Sequence, residues 1–299
     1  MFNSDQPTFL TNIPRIIVIG DIHGDIQRFM NTMYALKLFD KNLTWIAEPK
    51  DTIIVQMGDQ IDSLPRGDLE KNWEILPDVE VLKMSDLLDN IAKVSGGRVL
   101  SLLGNHEMMN VLNMFNYVST NSLSKCGGIE SRKNKFSSGG EYSQILARRN
   151  VLLKINNFLF CHGGLLSHHL NLINNNIHYI NDLTRKFLRN QELTNEERDK
   201  TLYLIMSDNS ILWTRSYVTN NDTIEEEIND VLNRTGTNKI FVGHNTVEDI
   251  LPSVNGKIIF TDAQFSRAYP GNNSVKIVEI NNANTSSPEI FVHNLQVCT

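Results

Sequence analysis

Hydrophobic positions in the first half of the chain fall into short continuous runs separated by segments of helical spacing. A continuous apolar run at residues 16–19 and mostly apolar runs at residues 52–57 and 99–103 are typical of strands that are buried on both faces. Between them, residues 26–38 and 80–94 repeat apolar side chains every three or four positions, as amphipathic helices do. This alternation predicts β-α-β units, and therefore a partly parallel sheet with helices on both faces.

The second half of the chain continues with more strand-like runs. Residues 151–160 predict one strand, and residues 223–232 predict a helix whose acidic first turn suits its dipole. Later strands are predicted at residues 240–242, 257–261, 275–280 and 289–297. Because the last of these alternate apolar and polar residues in places, they predict a second, partly antiparallel sheet packed against the first.

Three segments do not fit this strand and helix rhythm. Residues 1–13 predict a flexible polar arm, and residues 14–299 predict a single domain, since no repeat or linker interrupts them. Residues 116–140 are polar and rich in Gly and Ser without periodicity, which favours a substrate loop or a small insert. Residues 173–210 are mostly helical and charged, which favours a helical cap over the core.

The composition excludes several classes of protein. With 299 residues and 40% hydrophobic content, the chain can bury a large core, and its formal net charge of −6 argues against nucleic acid as the main partner. Its three cysteines have no paired spacing, which fits a reducing compartment. We find no signal-peptide pattern and no run long enough to span a bilayer, so we expect a cytoplasmic protein without a membrane partner. The oligomeric state stays open.

Five glycine-containing motifs carry the candidate chemistry, and each follows a strand-like run. They are GDIHG (20–24), GDQID (58–62), LLGNHE (102–107), FCHGG (160–164) and FVGHN (241–245). A single Gly-Asp or Gly-His pair after a strand is commonly just a turn. The complete set is different, because loops that leave the carboxyl ends of parallel strands meet at one edge of the sheet. The set therefore predicts one site built from all five loops.

The residue types in these loops are those that bind two divalent ions. Asp21 and His23 are alternate residues of one turn and can face one ion, while Asp59 can bridge two ions ~3.5–4 Å apart. The remaining candidates supply neutral ligands to the second ion: Asn105, His162 and His244. We expect Mn²⁺, and Fe or Zn²⁺ also suits Asp and His ligands. Two such ions lower the pKa of a bridging water and clamp phosphoryl oxygens, so the site predicts phosphoester hydrolysis.

Two further pairs complete the predicted active site. His106 directly follows a candidate ligand and can face the leaving group as a general acid, with Asp62 holding its other ring nitrogen. Arginine forks neutralise phosphate, and the candidates for this role are Arg66, just after GDQID, and Arg215 in LWTR.

Taken together, these motifs resemble the signature of calcineurin-like metallophosphoesterases of the phosphoprotein phosphatase superfamily. The resemblance covers residues 15–280 and is greatest to the Shewanella-like protein phosphatases. The segments that carry it are GDQID, LLGNHEMMNV, FCHGGL, ILWTRSY and TDAQFSRAY.

This resemblance implies an α/β (α+β) fold, a four-layer αββα sandwich of two mixed β-sheets flanked by helices. It implies hydrolysis of phosphomonoesters by metal-bound water, without a phosphoenzyme. It places the first metal on Asp21, His23 and Asp59, and the second on Asp59, Asn105, His162 and His244, with His106 and Asp62 as the proton-donating pair. Eukaryotic enzymes of the superfamily carry an arginine at the position of Ser63. Arg66 can take the role of that arginine only if the loop bends to bring its side chain into the site.

We expect a protein phosphatase acting on phosphotyrosine, phosphoserine/threonine or both, with a phosphorylated protein or a small phosphoester as partner. An alternative is a nucleotide or RNA-end pyrophosphohydrolase similar to diadenosine tetraphosphatases. That activity needs a stacking aromatic and basic residues near the site, and residues 116–140 offer Tyr117, Arg132, Lys133, Lys135 and Phe136. A third alternative, a metal-free binding module, conflicts with the complete set of ligands.

Overall fold

Two β-sheets, each covered on its outer face by helices, organise the chain. The computed structural model describes residues 4–66, 76–218, 223–269 and 274–296. Its strands are β1 (Phe9–Leu10), β2 (Arg15–Ile19), β3 (Ile53–Gln56), β4 (Arg98–Ser101), β5 (Leu152–Ile155), β6 (Phe158–Cys161), β7 (Lys239–Val242), β8 (Pro252–Ser253), β9 (Ile258–Phe260), β10 (Val275–Asn281) and β11 (Glu289–Leu295).

Helices connect these strands and form the two outer layers. They are α1 (Ile26–Ala35), α2 (Glu80–Val94), α3 (Asn105–Val111), α4 (Thr120–Lys125), α5 (Ile129–Phe136), α6 (Glu141–Leu146), α7 (Ser167–Leu172), α8 (Ile177–Leu188), α9 (Asn195–Met206) and α10 (Ile224–Thr235). Among the described residues, no helix is both long and apolar enough to cross a membrane.

The strand order places two sets of parallel strands opposite each other. The first sheet runs β11-β10-β2-β3-β4, and the second runs β1-β5-β6-β7-β9-β8. Strands β2, β3 and β4 are parallel in the first sheet, and β6, β7 and β9 are parallel in the second. Both sheets also contain antiparallel pairs, which confirms the predicted sandwich of two mixed sheets flanked by helices. The carboxyl ends of six parallel strands are thereby available for one site.

The predicted second, partly antiparallel sheet contains β7 and β9, but the prediction that the last two strands belong to it is wrong. Strand β10 pairs antiparallel with β2, with Val278 opposite Val18, so β10 and β11 extend the first sheet. Strand β11 lies at the edge of that sheet, and much of it faces solvent, which accounts for its alternating sequence. The single strand predicted over residues 151–160 is in fact a hairpin of β5 and β6. Asn156 turns this hairpin at φ 50°, a left-handed conformation that asparagine tolerates.

The N-terminal segment also differs from the prediction. Within residues 4–13, β1 pairs parallel with β5, and Gln6 and Thr8 are buried against the second sheet. Residues 4–13 therefore lie along the edge of the sheet, whereas the first three residues of the predicted arm lie outside the described residues. Gln6 and Thr8 are polar, so their burial leaves no hydrophobic pattern in the sequence.

The two segments predicted to be a substrate loop and a cap are largely helical supports. Residues 116–140 contain α4 and α5, separated by Gly127 and Gly128 at φ 88° and 86°. Helices this short show little periodicity, which is why the sequence predicted a loop. Residues 173–210 contain α8 and α9, whose apolar sides join the core that covers the second sheet. No described residue of 173–210 lines the cavity analysed below, whereas Tyr117 of the first segment does.

Apolar side chains fill the space between the sheets and fix how the two sets of loops face each other. Val18 and Val55 of the first sheet belong to the same buried cluster as Phe160 and Phe241 of the second. The rings of Phe160 and Phe241 are stacked, with centroids 5.0 Å apart and planes inclined by 17°. Each side chain points into the sandwich from a strand that ends in a candidate ligand loop. Packing between the sheets therefore sets the dimensions of the site.

Replacing Phe241 by Ala is expected to destabilise the fold strongly. Removing a buried aromatic ring costs about 3–5 kcal/mol, because the cavity left behind is only partly refilled. Urea unfolding measures this change, with Phe291→Ala as the matched control, since Phe291 is 46% exposed on β11. Equal losses in the two variants would contradict the assignment of Phe241 to the core.

Candidate active site

All five predicted motifs meet in one cavity between the two sheets. The cavity has a volume of about 290 Å³ and lies where the loops leave β2, β3, β4, β6, β7 and β9. Eight of the predicted residues line it: Asp21, His23, Asp59, Arg66, Asn105, His106, Arg215 and His244. The other two, His162 and Asp62, are buried beside the cavity. Nε2 of His162 lies 2.9 Å from Oδ1 of Asn105, and Oδ2 of Asp62 lies 2.7 Å from Nδ1 of His106. The structure therefore brings every predicted site residue together.

Asp59 lies at the centre of two groups of candidate ligand atoms. One atom each from His23, Asp59 and His106 lies within 4.8 Å of the others, and the same holds for Asp59, His162 and His244. In the second group, Nε2 of His162 is 3.2 Å from Oδ2 of Asp59. A carboxylate shared by two ligand groups suits a pair of ions bridged by one residue. The first group differs from the predicted ligand set, because it contains His106 in place of Asp21.

Asp21 is next to this centre and carries an unsatisfied oxygen. Its Oδ2 accepts a hydrogen bond from the backbone N of His244 at 3.0 Å, whereas Oδ1 is buried without a partner. Buried polar atoms normally have partners, so an unpaired carboxylate oxygen in a ring of ligands fits a bound cation. Gly243 leaves room for this oxygen, since a Cβ built there would lie 2.4 Å from it.

The rings of His23, His162 and His244 are turned so that each directs one nitrogen into the site, where Nε2 of His162 contacts Asn105 and Asp59. The other nitrogen of each ring donates to a main-chain carbonyl. His162 donates to Met57 at 2.8 Å, His23 to Ile61 at 3.2 Å and His244 to Trp213 at 3.0 Å. Metal-bound histidines almost always donate their second ring N–H in this way, which fixes the ring and its tautomer. These donor sets therefore fit two divalent ions.

The carboxylates of the site are crowded enough to perturb one another. Burial, followed by the nearby charges of Asp262 and Asp59, raises the pKa of Asp21 well above its usual range. Burial also acts to raise the pKa of Asp59, but His162 and then His106 outweigh it and hold this pKa well below its usual range. Cations among these groups would offset the repulsion between the carboxylates.

Two histidines of the site are held neutral. Burial, followed by the charge of His106, lowers the pKa of His23 well below its usual value. Burial and the charge of His162 lower the pKa of His244 to about 3. A neutral imidazole is the form that coordinates a metal, so both rings are in their ligand form near neutral pH.

The loops adopt backbone conformations that most side chains avoid. His23, Asp59, Asp62 and His244 all have positive φ, at 43°, 50°, 69° and 58°. Such left-handed conformations are uncommon for residues other than glycine and are concentrated at functional sites. The neighbouring backbone is equally constrained, since a Cβ at Gly104 would lie 2.2 Å from Oδ1 of Asp59.

A buried carboxylate holds two of the loops together. Glu107 accepts four backbone N–H groups, from Asp59 at 2.9 Å, Gln60 at 2.8 Å, Ile61 at 3.3 Å and Gly104 at 2.8 Å. Three of these belong to GDQID and one to GNHE, and Glu107 itself is fully buried. Its side chain therefore fixes the position of Asp59 relative to the start of α3.

His106 lies at the edge of the cavity between two carboxylates. Its Nδ1 is 2.7 Å from Oδ2 of Asp62, and its Nε2 is 3.8 Å from Oδ2 of Asp59. Burial alone would lower the pKa of His106, but the charges of Asp59 and Asp62 outweigh it and raise this pKa. The imidazolium form is thereby favoured at the edge of the cavity.

Both candidate arginines reach the cavity, and the loop after Ser63 bends as Arg66 requires. The backbone N of Arg66 donates to Ala268 at 2.7 Å, and its guanidinium carbon lies 4.9 Å from the ring centroid of Tyr117. Arg215 donates through Nη1 to the carbonyl of His244 and to Oδ1 of Asn245, both at 3.1 Å. Each arginine is therefore held by groups of the site itself.

Several residues of the site were not predicted from the sequence. Asp262 and Tyr269 line the cavity, and Thr246 bonds Asp262 at 2.8 Å. Asp262 follows the end of β9 as Asp21 follows the end of β2, so the same criterion would have found it. The role of Glu107 had no comparable signal, because its four partners are backbone groups.

Comparison with known proteins agrees with this geometry. The profile of the calcineurin-like phosphoesterase family matches residues 14–248. Shewanella-like protein phosphatase 1 of Plasmodium berghei (strain Anka) is 29% identical over 237 residues, which cover 77% of this chain and 60% of that protein. Shewanella-like protein phosphatase 2 of Arabidopsis thaliana is 24% identical over 199 residues, covering 52% of this chain and 48% of that protein.

Solved structures share the fold. The cold-active protein-tyrosine phosphatase of a psychrophilic Shewanella species has a TM-score of 0.74 at 23% identity, covering 96% of this chain and 83% of the other. A protein serine/threonine phosphatase from Saccharomyces cerevisiae has a TM-score of 0.55 at 15% identity, covering 99% of this chain and 85% of the other. At these identities the likeness concerns the fold alone.

The chain belongs to the calcineurin-like phosphoesterase family. Its similarity to Shewanella-like protein phosphatases agrees with the resemblance of its motifs. The matched part spans only about half to three-fifths of the two curated relatives, at 48% and 60% of their lengths.

Replacing Glu107 by Gln is expected to loosen both ligand loops. The amide NH₂ would face two backbone N–H groups that now donate to a carboxylate oxygen, and unsatisfied buried donors cost about 1–3 kcal/mol. Urea unfolding should register this loss, and calorimetry should register weaker Mn²⁺ binding. Glu196→Gln is the control, since the Glu196 side chain is 85% exposed. Unchanged Mn²⁺ affinity in Glu107→Gln would refute the role assigned to Glu107.

Divalent metal is expected to raise the melting temperature, and chelation is expected to lower it. A ligand that binds only the folded state at 100 times its Kd adds about 2.7 kcal/mol of stability. The Asp59→Asn variant should lose most of this thermal shift, whereas Asp249→Asn should keep it, because the Asp249 side chain is 65% exposed on the surface. An equal shift in all three proteins would mean that the metal binds elsewhere.

Proposed function

We propose that this chain is a two-metal protein phosphatase that hydrolyses phosphotyrosine, phosphoserine/threonine or both. The observation that carries this proposal is the position of His106, a proton donor oriented by Asp62 at 2.7 Å beside the shared carboxylate Asp59. The names of the relatives in Plasmodium and Arabidopsis support a phosphoprotein as substrate.

The ligand sets fit two divalent ions, of which we propose Mn²⁺ first. Asp21, His23 and Asp59 would hold one ion, and Asp59, Asn105, His162 and His244 would hold the other. Bound there, the ions would supply a water of lowered pKa and positive charge for the phosphoryl oxygens.

The protein itself supplies the proton for the leaving group. His106 lines the cavity, and Nδ1 of its ring is hydrogen-bonded to Asp62. This bond keeps the ring from turning away from the cavity. The ester oxygen takes this proton as its bond to phosphorus breaks. Asp62 stabilises the imidazolium before the transfer and keeps the ring in the same orientation after it.

Arg66 and Arg215 bind the phosphate from two sides of the cavity. Guanidinium forks pair with phosphate oxygens in a planar, bidentate geometry. Arg66 borders an aromatic part of the cavity, with Tyr117 at 4.9 Å and Tyr269 at 5.9 Å from its guanidinium carbon. An aromatic lining suits a phosphotyrosine ring, so phosphotyrosine is the first substrate to test.

The alternative, a nucleotide or RNA-end pyrophosphohydrolase, has less support than the sequence suggested. Arg132 and Phe136 are fully buried, so neither can contact a nucleotide. Tyr117 is 41% exposed at the cavity and remains able to stack on a base. Dinucleotide cleavage is therefore retained as an outcome of the test below.

The His106→Asn variant is expected to lose activity on phosphopeptides. A general acid contributes about 10²–10⁴-fold, so turnover should fall by that factor while metal content is unchanged. Purified protein with Mn²⁺ is assayed on a phosphotyrosine peptide, a phosphoserine/threonine peptide and a dinucleoside polyphosphate.

The matched control is His178→Asn, because the His178 side chain is 50% exposed and lies outside the cavity. This variant should keep the activity of the unaltered protein. Cleavage of the dinucleotide alone would replace the protein phosphatase proposal by the alternative. Full phosphopeptide activity in His106→Asn would rule out its role as the proton donor.

A further inference from the structure

Behind His106 and Asp62 lies a second layer of buried polar side chains. Asp78, Asn110 and Arg132 are each fully buried, and none of them lines the cavity. They come from three places in the chain: the turn before α2, helix α3 and helix α5. Burying a guanidinium costs free energy unless hydrogen bonds and opposite charges replace the water that it loses. The partners of Arg132 are therefore important for the stability of this layer.

Arg132 reaches the side chain of Asp62 through Asn110 and also by a longer direct contact, 3.5 Å from Nη2 to Oδ1 of Asp62. Its Nε donates to Oδ1 of Asn110 at 2.7 Å, and Nδ2 of Asn110 donates to Oδ1 of Asp62 at 2.8 Å. The same amide also donates to the carbonyl of His106 at 2.9 Å. Because Arg132 occupies the amide oxygen, the amide nitrogen is directed at the catalytic pair.

A second route leads from Arg132 to the backbone of Asp62. Nη1 and Nη2 of Arg132 bind the two oxygens of Asp78, each at 2.8 Å. Oδ2 of Asp78 then accepts the backbone N–H of Asp62 at 2.9 Å. Asp62 is thus held at its backbone through Asp78 and at its carboxylate through Asn110.

Holding Asp62 at both its backbone and its carboxylate is important for two reasons: its backbone is left-handed, and its carboxylate orients His106. Its φ is 69°, a conformation that persists only where the surroundings enforce it. Its Oδ2 is the atom that orients the His106 ring. A small rotation of Asp62 would therefore turn Nε2 of His106 away from the cavity.

We propose that Arg132 is a positioning residue for the proton-donating pair, acting through Asn110 and Asp78. This inference rests on the proposed function of His106. In the hydrolysis, the phosphorus to ester oxygen bond breaks with its electron pair on the oxygen, which takes the proton from Nε2. The oxygen of the attacking water forms the new bond to phosphorus, and the proton it loses passes to solvent.

The need for a well-placed proton depends on the leaving oxygen. p-Nitrophenolate leaves readily without a proton, whereas phenolate is more basic and a serine alkoxide far more so. Misplacing His106 should therefore slow turnover of a phosphoserine peptide most, phenyl phosphate less and p-nitrophenyl phosphate least. General loss of fold or metal would slow all three substrates in the same proportion.

The test compares these three substrates in the Arg132→Met variant of the full chain with Mn²⁺. Removing a partner behind a catalytic ligand typically costs roughly 10- to 100-fold, and we expect that loss in kcat for the phosphoserine peptide. We expect p-nitrophenyl phosphate turnover to change much less. Arg185→Met is the matched control, because Arg185 is only 5% exposed but lies in α8, away from the site. It should change all three rates alike.

Two further variants keep the test decisive if Arg132→Met does not fold. Arg132→Met combined with Asp78→Asn removes both buried charges together, which proteins tolerate better than one unpaired charge. Arg132→Lys keeps the charge but cannot bond Asn110 and both oxygens of Asp78 at once. Either variant should give the same dependence on leaving group, and a uniform loss in the variants that fold would overturn the proposal.

A nuclear magnetic resonance measurement separates this proposal from the proposed function. The ring N–H of His106 that bonds Asp62 should give a downfield signal, identified by its loss in His106→Asn. If the chain hydrolyses no phosphomonoester, the proposed function fails, and this signal alone decides the positioning role. Its loss in Arg132→Met but not in Arg185→Met supports that role, and an unchanged signal overturns it.

Discussion

The geometry of the site depends first on one buried carboxylate that no substrate reaches. Glu107 gathers four backbone N–H groups from two loops and so fixes the turn that presents Asp59. Hydrogen bonds to a charged acceptor are stronger than those between neutral groups, and burial removes the competition from water. Because Asp59 belongs to both ligand groups, every other candidate ligand is arranged around a position that Glu107 sets.

The sandwich supplies the second constraint. Ligands from the first sheet, such as Asp21 and Asp59, face ligands from the second sheet, such as His162 and His244, across a core that contains Phe160 and Phe241. The candidate ligands of the first ion all follow strands of the first sheet, whereas those of the second ion come from both sheets. The site therefore exists only when the two sheets pack at the correct distance, which links the apolar core directly to the chemistry at its edge.

Much of this arrangement could be predicted from sequence, because the candidate ligands follow strands at regular places. Runs of buried residues located β2, β3 and β4. Of the ten site residues that the sequence predicts, eight line one cavity and two are buried beside it. What could not be predicted depends on contacts between distant segments. The pairing of β10 with β2 is set by sheet packing, and the short helices α4 and α5 lack a readable period. Arg132 was assigned to a substrate loop because a lone arginine carries no sign of its burial in the sequence.

The left-handed backbone at His23, Asp59, Asp62 and His244 has a consequence for how such a protein can evolve. Apart from glycine, the residues that best tolerate this conformation are asparagine, aspartate and histidine, which are also the residues that bind metals. Replacing one of these four by asparagine or glycine would remove a ligand or proton partner while the local chain path is kept. A lineage can therefore lose catalysis by a single substitution and retain the architecture, which makes inactive copies of this fold easy to produce and available for roles in binding.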